Sequence, residues 1–353
     1  MGDTSGWTWD TPLRARLFYK PGDTFSFEAE EELTSRYQSG ASLVVSYLGS
    51  ARPSSYRIWD MNRYWAGSNS GDGAKLLQNL DRFSSTVHLG KLDITSGRQA
   101  ISFGSARAVN PTDLFTTFQI ENPDRENRSG VDALRARYAW SDLGELDAGY
   151  VAGKDARWDQ SAVFVRPRLH LWGVDVTPLG MIYRKNRLAG LDLQGSIGGA
   201  GAWIEGALVH PGCSEKTYPR VSAGFDYNFG LKIYAFLEYH YNGAGELNPA
   251  DYPHPSHLTA YEDGTIYLLG RNYLIPSLTY QVSTLISLQS KLLINISDQS
   301  ILAMMQWEHN IAKNFYLDIG AAVPMGSGLK GRVPTSEYGL YPSFQYIYMR
   351  NYF

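Results

Sequence analysis

The sequence holds a single cysteine, Cys213, so it has neither an internal disulfide framework nor a cysteine-rich metal site. No apolar run approaches the ~18 residues needed for a transmembrane helix, and mean hydropathy is -0.29. Charge of one sign is not in surplus: 32 Lys and Arg face 35 Asp and Glu, for a net charge of -3. That balance excludes a general nucleic-acid binder. A linker is missing too, with no Ser/Pro-rich tract, no charge block and no break in composition. The 353 residues, which by length alone could form two or three soluble domains, therefore read as one unit.

Catalytic and cofactor signatures are equally scarce. Without a Cys-x-x-Cys-His there is no covalent haem, and neither a nucleophile elbow nor a P-loop occurs. His254 and His257 lie close together, but Pro255 between them prevents a helical metal-ligand spacing. No serine–histidine or carboxylate pair stands out, so an enzyme is not expected, nor is a bound cofactor or metal. Met1-Gly2-Asp3 begins no signal peptide, lacking a basic n-region and an apolar h-region. The expectation is a mature, exported form carrying an added start methionine.

What the chain has instead is aromatic residues and glycine: 13% aromatic, 24 Tyr, 9 Trp and 35 Gly. These sit in an alternating pattern. In the stretch 131–140, Leu134, Ala136, Tyr138 and Trp140 share one face, with Arg135 and Arg137 on the other. Period-2 alternation marks a half-buried strand. An apolar face ending in aromatics, backed by a charged face, is the pattern of a strand with lipid on one side and water on the other. The rhythm recurs at Val163, Val165, Leu169 and Leu171 against Arg166, Arg168 and His170. It recurs again in the hairpin 221–241, where Phe225, Tyr227, Phe229, Ile233, Ala235, Leu237, Tyr239 and Tyr241 oppose Asp226, Asn228, Glu238 and His240.

Connection lengths sort into two classes. Turns near Gly90, Gly144, Gly173, Gly199, Gly230, Ser283 and Asn314 are tight, while those spanning 66–80, 105–130, 211–218, 243–265 and 324–337 are long, though the connections near Lys185 and Asp298 are short. Short turns on one rim and long loops on the other describe outer-membrane barrels. The expected fold is all-β: a closed antiparallel transmembrane β-barrel with short periplasmic turns and longer extracellular loops. About eighteen strands are expected, with sixteen as the alternative. Residues 1–22 read as a lead-in, within which Leu13 to Lys20 alternates as a strand or a periplasmic lead-in would, and 23–353 as the barrel. Hydropathy averaging misses such a fold because every second residue is polar.

The inner wall carries the candidate functional residues. Glu28, Glu30 and Glu32 project inward near the start, Glu308 and Asp318 near the end, and Arg135, Arg137, Arg166 and Arg168 near the middle. Closing the barrel makes the first and last strands neighbours, so the acids become contiguous and the arginines lie roughly opposite. Such a transverse field would orient dipolar solutes and tune ion preference; the other reading is wetted lumen residues in scattered ion pairs. The loop 105–128 carries Asp113, Glu121, Asp124, Arg125 and Glu126. Folded inward it sets the narrowest point of a pore; folded outward it is a surface loop.

The final strand ends Tyr346-Ile347-Tyr348-Met349-Arg350-Asn351-Tyr352-Phe353. An aromatic last strand closing on phenylalanine resembles the signature that gram-negative outer-membrane proteins present to their assembly machinery. It differs in having Asn351 third from the end. The stretch from Gly97-Arg98-Gln99 to Asn110-Pro111-Thr112-Asp113-Leu114-Phe115 looks like a motif of porin-like barrels. The resemblance implies an outer-membrane β-barrel whose partners are outer-membrane lipid and the barrel-assembly machinery. The leading expectation is a passive channel for ions or small polar solutes. The alternatives are a barrel sheath for polymer export or for a multihaem cytochrome, which would add a periplasmic or lumenal protein partner, and a soluble all-β carbohydrate-binding protein.

Overall fold

The structure, a computed structural model, describes residues 7–39, 56–59, 64–66, 73–115, 129–212, 215–252, 258–262, 264–313, 315–330, 333–341 and 343–351. It forms two compact units. The first comprises Met1–Ser102, Asp124–Leu169 and Pro178–Arg187; the second comprises Phe103–Pro123, His170–Thr177 and Leu188–Phe353.

In the first unit, β1 (Trp7–Tyr19) pairs antiparallel with β2 (Phe25–Ser39) from Trp7↔Ser39 to Tyr19↔Phe27. The short β3 (Tyr64–Ala66) and β2 both bond to the long β4 (Gly73–Leu89). The ladder continues through β5 (Leu92–Gln99), β6 (Val131–Ala139), β7 (Glu145–Val151) and β8 (Ala162–Leu171). Two more strands, β9 (Val174–Tyr183) and β10 (Asn186–Ile197), are divided between the units.

In the second unit, β11 (Ala200–His210), β12 (Tyr218–Phe229), β13 (Ile233–Asn242), β14 (Asn272–Ser283), β15 (Ile286–Asn295), β16 (Ser300–Ala312) and β17 (Phe315–Met325) follow one another. Each is antiparallel to the next. The two-residue strands β18 (Leu329–Lys330) and β19 (Val333–Pro334) form a separate hairpin, and β20 (Phe344–Asn351) pairs with β17. Among the described residues, 18 strands belong to one antiparallel sheet. No ladder between β1 and β20, which would close that sheet, is found among the described residues.

The alternation read from the sequence decides which face each side chain takes. Leu134 is 53% exposed and Phe225 53%, whereas Glu205 and Glu238 are 0% exposed. In many strands one phase is apolar and open while the other carries covered polar and charged groups, the reverse of a water-soluble sheet. Val163, Val165, Ile204, Leu208, Tyr227, Phe229, Tyr239, Leu278, Met305 and Ile347 continue the exposed apolar phase. The tight turns fall where glycine was read: Gly90 at φ +65°, Gly173 at +79° and Gly230 at +70°, the region open to residues without a Cβ.

Several boundaries differ from the sequence reading. Trp7–Tyr19, read within a lead-in, is a full strand because its alternating residues match β2 rung for rung. Tyr56–Trp59 is irregular; Tyr56 and Arg57 are buried, and Asp132 N–H donates to Tyr56 O at 3.0 Å. The strand β5 stops at Gln99. Beyond it the chain folds against the wall, and a Cβ at Gly104 (φ +88°) would overlap the Glu205 carboxylate. The strand β14 begins at Asn272, and Ile266 and Leu268 before it are buried. Tyr338–Leu340 is a single 3-10 turn before β20, with Tyr338 buried.

A buried apolar cluster in the second unit joins loop and strand residues: Val109, Leu268 and Tyr338 pack with Tyr273, Ile275, Leu293 and Leu302. The strand residues come from the covered phase. Loop segments therefore fill part of that face rather than leaving it open.

Candidate functional site

The covered face of the first unit is lined with ion pairs. Asp147, 1% exposed, accepts from Arg135 Nε and NH2 at 2.8 Å each and from Arg166 NH2 at 3.0 Å. Antiparallel register sets this up, for Asp147 stands opposite Arg137 on β6 and Arg166 on β8. Arg137 NH2 lies 3.7 Å from Asp93, and Arg168 stands opposite Glu145. On β2, Glu32 takes Arg14 Nε at 2.6 Å; Arg16 lies 2.7 Å from Glu28 and 3.9 Å from Glu30. Each single-sign set read from the sequence thus meets opposite charge on an adjacent strand: Arg14 and Arg16 for the glutamates, Asp93 and Asp147 for the arginines. In the second unit Glu308 and Asp318 are cross-strand neighbours, and Gln306 Nε2 donates to Asp318 at 2.9 Å.

The segment Phe103–Phe115 lies along the covered face of β11–β13. Two buried carboxylates hold its backbone. Glu205 Oε2 accepts from Ala106 N at 3.1 Å and Asn110 Nδ2 at 3.1 Å, while its Oε1 accepts from Thr112 N at 2.9 Å and Thr112 Oγ1 at 2.7 Å. Glu238 Oε2 accepts from Arg107 N at 2.7 Å, Ala108 N at 3.2 Å and Trp203 Nε1 at 3.1 Å, and its Oε1 from Val109 N at 2.9 Å. A carboxylate answers several N–H donors at once, so an irregular backbone can be buried without orphaned donors. Ser222 Oγ donates to Val109 O at 2.6 Å and lies 2.8 Å from His240 Nδ1; Ser105 Oγ bonds Asp192. Asp113, read as a constriction residue, is buried with its N–H donating to Asn110 O at 3.3 Å. Glu121, Asp124, Arg125 and Glu126 lie outside the described residues, as do His254, His257 and Phe353.

A second knot ties loops in the same unit. Glu337 accepts from Leu269 N at 2.9 Å, Tyr273 Oη at 2.5 Å and Asn295 Nδ2 at 2.8 Å. Asp298 Oδ2 accepts from Glu337 N at 2.6 Å and Tyr252 Oη at 2.8 Å. Burial pushes the Glu337 carboxyl up to about 7, opposed by these donors and reinforced by the nearby Asp298.

Glu205, Asp93, Asp147, Arg14, Arg16, Arg107 and Glu337 were not singled out in the sequence. Alternation placed Glu238 on the inner phase, but nothing local shows that it meets a backbone 129 residues away.

No protein-family model and no curated protein matches the sequence. Solved structures do. OccAB2 of Acinetobacter baumannii is similar at a TM-score of 0.58 and 10% identity, over 99% of this chain and 92% of that one. OccK2 (OpdF) of Pseudomonas aeruginosa is similar at 0.55 and 10% identity, over 98% and 91%. OccAB3 of A. baumannii is similar at 0.52 and 10% identity, over 97% and 92%. The chain shares their fold. The likeness runs over nearly the whole of each chain.

Proposed function

We propose that the chain is an outer-membrane porin-like channel for passive diffusion of ions or small polar solutes, not an enzyme. On this reading the sheet closes into a barrel, with lipid against the apolar phase and an aqueous lumen along the polar phase. The observation that carries it is the inverted strand pattern, with open apolar residues such as Leu134 and Phe225 backing covered ion pairs such as Asp147 with Arg135. Bacterial outer-membrane placement and assembly through the barrel-assembly machinery follow from the same reading, as does a constriction formed by the segment Phe103–Phe115.

A soluble carbohydrate-binding protein would have to hide those open apolar faces. A sheath for a polymer or cytochrome would need a clear lumen, whereas Glu205 and Glu238 fix the chain's own segment on the polar phase. The test is reconstitution in a planar lipid bilayer. Discrete conductance steps from protein that migrates faster unboiled than boiled on a gel support the channel. Folded protein that never conducts contradicts it.

A further inference from the structure

One part of the polar phase of β11–β13 differs from the simple ion pairs elsewhere. Arg107, an exposed residue of the pinned segment, donates from Nε to Asp226 Oδ2 at 3.1 Å and from NH1 to Ser105 O at 3.4 Å. Its guanidinium carbon lies 5.1 Å from the centre of the Trp203 ring. Tyr234 Oη donates to the same Asp226 oxygen at 3.0 Å. The Tyr234 and Phe236 rings are 6.4 Å apart and tilted, and Phe236 meets Trp203 edge-on at 6.4 Å. Asp226 can sit there because residue 201 is glycine; a Cβ would overlap its Oδ1. The Arg107 side chain is 35% exposed and that of Asp226 13%, with Tyr234 and Phe236 half-buried, so the cluster opens to solute chiefly at Arg107.

We infer that Arg107, Asp226, Tyr234 and Phe236 form a binding subsite for a neutral polyhydroxylated solute, a sugar or sugar-like polyol; this rests on the channel reading above. A hydroxyl both donates and accepts. The cluster offers both in fixed geometry: the NH2 group of Arg107 as donor and Oδ1 of Asp226 as acceptor, held in place by Trp203 and Tyr234. The face of Tyr234 gives the C–H side of a sugar ring a partner, while Phe236, with Lys291 Nζ 5.7 Å from its ring centre, holds Trp203 edge-on. A charged solute fares worse. An anion at Arg107 must compete with Asp226, and a cation at Asp226 must compete with Arg107, so neither finds an unanswered charge.

The test uses the folded, full-length protein in planar bilayers at high salt, with glucose, glucuronate and glucosamine added separately. The three share one ring and differ in charge. Glucose should lower the single-channel conductance saturably, at lower concentration than either charged sugar. Tyr234→Phe, which removes one hydroxyl and keeps the ring, and Asp226→Asn should each raise the half-saturating concentration roughly tenfold, the scale of one hydrogen bond to a charged group. A heat-shift gel verifies folding of each variant. A glucose effect that is linear, or unchanged in both variants, overturns the subsite, as does tighter binding of glucuronate or glucosamine. A folded parent that conducts nothing overturns the channel reading itself, and the subsite with it.

Discussion

Glu238 reaches from β13 to the backbone of Val109, taking its N–H at 2.9 Å, while the same carboxylate takes the N–H groups of Arg107 and Ala108. Glu238→Gln keeps the shape but turns an NH2 donor toward N–H donors. At least one bond is lost, costing roughly 1–3 kcal/mol. The pinned segment should loosen, and single-channel conductance should rise with noisier open current. Unchanged current would mean that Phe103–Phe115 does not set the narrowest point.

Asp147 is shared between Arg135 and Arg166. Asp147→Asn leaves two guanidinium groups without that counter-charge, so on the channel reading reversal potentials should move toward anions. Arg137→Gln and Arg168→Gln should move them toward cations. Both shifts should shrink in high salt as the Debye length falls from ~10 Å at 0.1 M to ~3 Å at 1 M. Identical reversal potentials in all three variants would place solute flow away from this wall.

Ala136 stands between Ile94 and Ala148 on the phase that carries the exposed Leu134 and Tyr138. Ala136→Arg should cost roughly 2–4 kcal/mol at mid-bilayer, measured by reversible unfolding in lipid vesicles. A change within ~0.5 kcal/mol, typical of a neutral surface site, would place this phase in water.

Glu337 gives a pH dependence. Its carboxyl is raised from 4.5 to about 7, chiefly by burial. A folded-state value above the unfolded one means that the folded protein holds a proton the unfolded chain has released. The stabilisation is full below about 4.5 and is lost as pH rises through about 7, amounting to about 3 kcal/mol. Melting temperature in detergent should therefore fall as pH rises across that window, and Glu337→Gln, which stays neutral, should show a flatter profile. A parent and variant with parallel profiles would contradict this.

Strand phase was legible because it is local. Leu134 and Arg135 differ in polarity by adjacent residues, and Gly90, Gly173 and Gly230 mark turns by their backbone needs. Gly149 shows the limit of that reading: a Cβ there would lie 2.8 Å from the Phe164 ring, a relation set by register and not by neighbours in sequence. The ion pairs were half legible. The arginines of β6 and β8 showed in the alternation, but that Asp147 from β7 would serve two of them depends on ladder pairing. For the loop from residue 105 the sequence left an inward and an outward path open, and nothing local chose between them, because the carboxylates that hold Phe103–Phe115 are far along the chain: Glu205 lies 93 residues beyond Thr112 and Glu238 lies 129 beyond Val109.

Planar-bilayer recording of the refolded, heat-modifiable protein tests for an aqueous pathway through a lipid-embedded sheet. Stepwise insertions with a reproducible unit conductance, altered by Glu238→Gln, are the expected result. A folded protein that inserts and passes no current, in the parent and in Glu238→Gln alike, would contradict it.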